Sequence, residues 1–205
     1  DELLNRINDI EIDLDGNVLI GTRGKGLLRF DGTGFNIFNM ENSKLPSNIV
    51  EAIHIENSGR KWIGTSSGLV KIEDDIWTVY DSTNSILKNT SLTSVCNDGE
   101  GNIWLGSKRQ GLFKFNANSW INYTESNSDL TDNGIVSLTF DKHKNLWIGT
   151  RHDGIIKLSN NNWTIYNKFN SALPDDRIRD LTFDDKGKLW IATQSGIASY
   201  KDRSV

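Results

Sequence analysis

The 205-residue chain holds one cysteine, one methionine, two prolines and three histidines. With Cys96 alone, no disulfide can form within the chain and no thiolate cage can bind a metal. His54, His143 and His152 fall in unrelated sequence contexts, without the partner His, Cys or Glu column that a zinc site needs. No apolar run approaches the length of a membrane-spanning helix, and no segment sustains a 3.6-residue period between helix caps. Positive charge is not in surplus either. A net charge of −4 argues against general nucleic-acid affinity, which needs a clustered basic face to displace counterions. A charged-then-apolar leader is absent, and the chain opens at Asp1 as a mature product or an excised fragment would.

Against these scarcities stand 18 glycines and 7 tryptophans, which point to many tight turns and a repeated large anchor. The anchor reads Leu19-Ile20-Gly21-Thr22, Trp62-Ile63-Gly64-Thr65, Trp104-Leu105-Gly106-Ser107, Trp147-Ile148-Gly149-Thr150 and Trp190-Ile191-Ala192-Thr193. Successive anchors lie 42 or 43 residues apart. Other columns keep the register. A glycine and an apolar strand follow each anchor at Gly26, Gly68, Gly111, Gly154 and Gly196. An aromatic pair follows in four repeats: Phe35 and Phe38, Trp77 and Tyr80, Trp120 and Tyr123, Trp163 and Tyr166. Before each anchor an apolar strand ends at an acidic residue: Asp13, Glu56, Asp98, Asp141 or Asp184.

Four short strands per repeat, recurring at 40–50 residues, are what radial blade architectures require. The expectation is an all-β protein, a β-propeller of about five four-stranded blades of ~43 residues in a single domain spanning 1–205. The blades fall at about 7–41, 49–84, 91–127, 134–170 and 177–200, with the strand before each anchor innermost and the aromatic-pair strand outermost. The last blade lacks its outer strand, because Lys201 to Val205 hold no aromatic pair. Residues 1–6 do not supply it. Five blades that close imperfectly and a piece of a larger ring both fit.

The succession Val/Ile-x-x-Leu-x-Phe-Asp, Gly-Asn/Lys, Leu-Trp-Ile-Gly-Thr and Gly-Leu resembles the two-component regulator propeller repeat. Residues 135–158 carry it almost in full, and residues 178–200 carry it with Ala192 in place of glycine. The resemblance implies the extracytoplasmic sensor region of a bacterial hybrid two-component system, periplasmic or extracellular, of a kind that often senses complex carbohydrate and signals as a dimer.

Each column has a structural use. A Trp repeated at one place in four blades, with Leu19 in the first, is expected to pack between blades rather than form a sugar platform. The acidic column is expected to accept backbone N–H groups in the turn that follows, since a calcium loop needs more oxygen ligands at short offsets. No nucleophile elbow, catalytic histidine pair or arginine triad with a tyrosine appears, so no catalytic residue, cofactor or metal is expected. The turn after each anchor varies. Three are cationic, with Arg23 and Lys25, Lys108 and Arg109, Arg151 and His152, while two carry Ser66-Ser67 and Gln194-Ser195. Loops on rigid scaffolds carry function. Arg23, Lys25, Lys108, Arg109, Arg151, His152 and Gln194 are therefore the candidate ligand-binding residues of a non-catalytic sensor, and an acidic oligosaccharide is the expected ligand. A protein-interaction scaffold is the alternative, with a second copy or a neighbouring domain as partner and no membrane contact. A lyase acting at the ring centre ranks last.

Overall fold

A computed structural model describes residues 6–116 and 119–201 of the chain. Nineteen strands form five antiparallel sheets in chain order. The first sheet is β1 (Ile7–Ile12), β2 (Val18–Thr22), β3 (Leu27–Phe30) and β4 (Phe35–Phe38). The second is β5 (Val50–Ile55), β6 (Lys61–Thr65), β7 (Gly68–Glu73) and β8 (Ile76–Tyr80). The third is β9 (Leu92–Asn97), β10 (Asn102–Ser107), β11 (Leu112–Asn116) and β12 (Ser119–Tyr123). The fourth is β13 (Ile135–Phe140), β14 (Leu146–Thr150), β15 (Ile155–Ser159) and β16 (Asn162–Tyr166). The fifth has three strands, β17 (Ile178–Phe183), β18 (Leu189–Thr193) and β19 (Gly196–Tyr200). The chain is thus an all-β protein of the propeller class with a three-stranded last blade. Residues 1–5 and 202–205, weighed above as cover for that blade, lie outside the described residues.

The chain forms two compact units, residues 1–97 and 98–205. In the first unit, Leu19, Leu27, Leu45 and Phe38 of the first repeat pack against Val50, Ile53, Ile63, Val70, Ile72, Trp77 and Val79 of the second. In the second unit, Trp147, Ile155, Tyr166 and Leu173 of the fourth repeat meet Ile178, Leu181, Phe183, Ile191 and Tyr200 of the fifth. The facing sheets of the first and second repeats, and of the fourth and fifth, thus bury apolar side chains against each other, which is why the buried middle strands read as continuous apolar runs rather than alternating ones.

The glycine of the anchor follows from this packing. A Cβ on Gly149 would stand 2.7 Å from Ile178 Cγ2, and one on Gly21 would stand 2.9 Å from Val50 Cγ1. On Gly64 it would press on Leu92 and Val95. In each case the obstacle is the first strand of the following sheet, so the column admits no side chain. No following sheet stands against β18 among the described residues, and there the column holds Ala192.

The acidic column closes the turn between the first and second strands. Oδ1 of Asp13 accepts the N–H groups of Asp15 and Asn17, that of Asp141 those of His143 and Asn145, and that of Asp184 those of Lys186 and Lys188. Asp98 does the same for Glu100 and Asn102. The carboxylate also reaches the anchor. The indole Nε1 donates to Asp98 Oδ2 from Trp104 at 3.4 Å, to Asp141 Oδ2 from Trp147 at 3.1 Å, and to Asp184 Oδ2 from Trp190 at 3.0 Å. Glu56 is the exception. Its longer side chain accepts from Trp62 Nε1 at 2.6 Å and from the Ser58 hydroxyl instead of from turn amides. Trp62, Trp104 and Trp147 are buried between sheets, but Trp190 is 41% exposed, because nothing described covers the outer face of the last sheet.

Candidate functional site

The hairpin turn after each anchor is held by the hydroxyl that ends the anchor. The side chains of Thr22, Thr65, Ser107, Thr150 and Thr193 each donate to the carbonyl of the following glycine, Gly26, Gly68, Gly111, Gly154 or Gly196, at 2.8 Å. The same oxygens accept an N–H from within the turn, at Lys25, Ser67, Gln110, Asp153 and Ser195. Thr or Ser at that place is a staple.

The turns come in two lengths. Ser66-Ser67 and Gln194-Ser195 are two-residue turns, whereas Arg23-Gly24-Lys25, Lys108-Arg109-Gln110 and Arg151-His152-Asp153 carry one residue more. The three cationic turns are thus the three long ones. Each long turn is also tied to the next repeat. Gly26 N–H donates to Asn48 O, Gly111 N–H to Asn133 O, and Gly154 N–H to Asp176 O, all within 2.9 Å. The closing glycines have φ of 85°, 79° and 83°, a left-handed conformation that glycine alone adopts without strain. These turns are fixed frames, not loose loops.

Within the first unit, Arg23 and Lys25 are exposed on one long turn, and Arg23 N–H donates to Arg6 O. Within the second unit, Lys108 and Arg109 are exposed as well. None of these four makes an ion pair among the described residues. Arg151 and His152 differ. His152 N–H donates to Asp132 Oδ2 at 2.8 Å, and its ring Nδ1 lies 3.2 Å from the same oxygen. Arg151 is half-buried against Gly134 and Asp132, with its Nε enclosed and without a hydrogen-bond partner. Burial pushes the Asp153 carboxyl above its usual range, and the negative charges of Asp132 and Glu125 push it further. The fourth repeat therefore gathers Asp132 and Asp153 at its turn. In the fifth, Gln194 accepts from Arg179 Nη2 at 2.6 Å, while Asp175 takes both Arg177 and the Ser195 hydroxyl. Those bonds hold the Asp175 carboxyl far below the usual range.

Two features escaped the sequence reading. Ser47, Asp132 and Asp175 occupy one column and each clamps the turn of its own repeat, through Ser66, His152 and Ser195. The column changes residue type, so composition does not reveal it. At the opposite end of the first two sheets lies a polar cleft of about 460 Å³, lined by Leu14, Arg60, Lys61, Glu73, Asp74 and Asp75. Hydrogen bonds from Arg60 and Lys71 hold the Glu73 carboxyl down at about 2, so the cleft keeps its internal charge pairing across the physiological range. No group of three or more His, Cys, Asp or Glu is placed to hold a metal among the described residues.

The chain matches the family described as "Two component regulator propeller" over residues 86–109, 129–152 and 172–195. No curated protein matches the sequence. Among solved structures it is similar to the extracellular domain of the hybrid two component system BT3049 from B. thetaiotaomicron, with 23% identity and a TM-score of 0.83 over 98% of this chain and 27% of that one. The corresponding domain of BT4673 from B. thetaiotaomicron gives 19% identity and a TM-score of 0.82 over 98% of this chain and 28% of that one. The chain thus spans little more than a quarter of these neighbours. Virginiamycin B lyase from Staphylococcus aureus gives 14% identity and a TM-score of 0.73, over 97% of this chain and 71% of the enzyme. At such identities the likeness is one of fold.

Proposed function

Three of the five repeats belong to the two-component regulator propeller family, and from that premise we propose that this chain is part of a non-catalytic, extracytoplasmic ligand-binding region of a two-component system. The ligand class is an acidic oligosaccharide, read by the long turns. The observation that carries this reading is the coincidence of length, charge and rigidity. The turns that gain a residue are those that carry cations, and their backbones are stapled at both ends. Four of those cations, Arg23, Lys25, Lys108 and Arg109, reach solvent without a carboxylate partner among the described residues. An arginine fork pairs well with a carboxylate or sulfate, and charge-assisted bonds are about twice as strong as neutral ones.

Arg151 and His152 have a smaller part in this reading than their sequence suggested, because Arg151 is half-buried and Asp132 already takes both the amide and the ring Nδ1 of His152. Binding of matched uronate-containing and neutral oligosaccharides, at low and high salt, tests the proposal. The acidic sugar is expected to bind more tightly, with affinity falling as salt rises. Lys108→Ala with Arg109→Ala should weaken it about tenfold or more, while Arg151→Ala should weaken it less. Equal affinity for the neutral sugar would return these turns to ordinary solvated loops.

A further inference from the structure

The loop that follows each fourth strand leaves its sheet at the same end as the turn after the anchor, and it is built alike in four repeats. An asparagine closes the loop on itself. Asn42 Oδ1 accepts the N–H of Asn39, Asn84 that of Asp81, Asn127 that of Thr124 and Asn170 that of Asn167, at 2.8 to 3.0 Å. The same side chains donate from Nδ2 to the carbonyls of Ile37, Val79, Asn122 and Ile165. The serine that follows, Ser43, Ser85, Ser128 or Ser171, donates its hydroxyl to the carbonyl of Asn39, Asp81, Thr124 or Asn167. This frame leaves one residue at the tip, just before the asparagine. The first three repeats place Glu41, Thr83 and Ser126 there, all exposed. The fourth places Phe169.

Folding does not ask for that ring, because three polar residues hold the same place on the same frame. Phe169 is 85% exposed, more than any other large apolar side chain among the described residues. Its backbone is nonetheless fixed. Phe169 N–H donates to Asn167 Oδ1 at 3.0 Å, and Lys168 N–H donates to Asp176 Oδ1 at 2.7 Å. Lys168 Nζ stands 5.0 Å from the ring centroid. Single hydrogen bonds join this tip to the turns of the second unit. Asp176 O accepts Gly154 N–H, Gly134 O accepts Arg151 N–H, and Asn133 O accepts Gly111 N–H. The tip, the Arg151–Asp153 turn and the Lys108–Gln110 turn therefore make one continuous border. Charge changes along it. Lys108 and Arg109 are exposed on the third repeat, whereas the fourth exposes Asp153 and engages Asp132 with His152. A uronate suits the first stretch. The second suits a neutral sugar, whose apolar C–H face can cover an aromatic ring while its hydroxyls donate to a carboxylate.

We propose that Phe169 is the stacking platform for a neutral sugar unit, carried on the same oligosaccharide as the uronate that meets Lys108 and Arg109. The inference rests on the acidic-oligosaccharide reading and sharpens it: the ligand is a mixed chain of neutral and acidic sugars, not of uronates alone. Variable residues on a rigid, repeated frame are where such a scaffold sets its specificity.

Calorimetric titration of the 205-residue chain with two hexasaccharides tests this. One alternates glucuronate with neutral N-acetylglucosamine, and the other is galacturonate throughout. Phe169→Ala is expected to weaken the alternating sugar about five- to tenfold, the range for losing an aromatic contact, and to leave the uronate-only sugar unchanged. Phe169→Trp should restore the affinity. Removing an uncharged ring should leave the salt dependence of binding as it was, whereas Lys108→Ala with Arg109→Ala should flatten it. Because the ring is exposed, the thermal midpoint of Phe169→Ala should match that of the parent, which separates lost contact from lost folding. An unchanged affinity of Phe169→Ala for the alternating sugar, an equal loss for both sugars, or binding of the uronate-only sugar alone would overturn the inference and leave the acidic-oligosaccharide reading in place. Binding of neither sugar to the parent chain would overturn both.

Discussion

Trp147 and Trp190 occupy the same place in consecutive repeats, each with its indole N–H on the carboxylate six residues earlier, yet one is 2% exposed and the other 41%. Their own sheets account for only part of the difference. Trp147 is covered by Phe183 of β17, 6.3 Å away between ring centroids, by Tyr166 of β16 at 5.7 Å, and by Tyr200 of β19 at 5.1 Å. Trp190 has Lys188 over its ring at 4.3 Å, and neither a fourth strand nor a following sheet among the described residues. Burial of the anchor needs its own fourth strand as well as the neighbouring repeat. Stability in such an array is then close to a sum of repeats and their interfaces.

The comparison sets the order of expected effects. Trp147→Ala should lower stability by about 3–5 kcal/mol, the range for large aromatic truncations in cores. Trp190→Ala, already half in water, should cost much less, and urea unfolding of both variants measures the gap. Equal losses would mean that the indole–carboxylate bond, not the interface, carries the anchor's contribution. Next comes the glycine column. Gly149→Ala drives a methyl into Ile178 and should cost about 1–3 kcal/mol as overpacking does. The reverse change, Ala192→Gly, should cost no more than about 1 kcal/mol, the entropic penalty of glycine in a strand.

A third effect appears with pH. Burial alone would raise the Asp141 carboxyl, but hydrogen bonds from Asn145, from the Trp147 indole and from turn amides hold it below its ordinary value. A carboxylate depressed in the folded state contributes stability that is present above its unfolded value, about 3.9, and lost as pH falls through the folded one. The thermal midpoint should therefore fall with acidification below about pH 4, and Asp141→Asn should flatten that limb. An unchanged acid limb would sink the account. The smallest change concerns the turn residue three places after the acid. It is glycine at Gly187, with φ of 70°, but lysine at Lys144, with φ of 63°. Lys144→Gly should raise stability by up to about 1 kcal/mol, offset by its exposed ion pair with Glu100.

Much of this architecture was legible, because repetition multiplies weak signals. Each anchor, each glycine and each aromatic pair is ambiguous alone, but four or five copies in register are not. What stayed hidden depends on contacts that a column-by-column reading separates. Asp141 and Trp147 were read as two columns with two roles, whereas one carboxylate serves both the turn and the indole. The Ala192 departure was visible but meaningless until Ile178 was seen filling the space beside Gly149. For the turns, the basic residues were plain in sequence, but the Asp132 carboxylate that holds His152 comes from a loop twenty residues earlier.

The glycine of the anchor also bears on how such arrays grow. A repeat copied into the interior of the chain must present a bare backbone to whatever follows, so the five units are not interchangeable parts. A methyl at that place would meet the first strand of a sheet packed against it, as one on Gly149 would meet Ile178, so a copied repeat is accepted there only as well as the facing strand can give way.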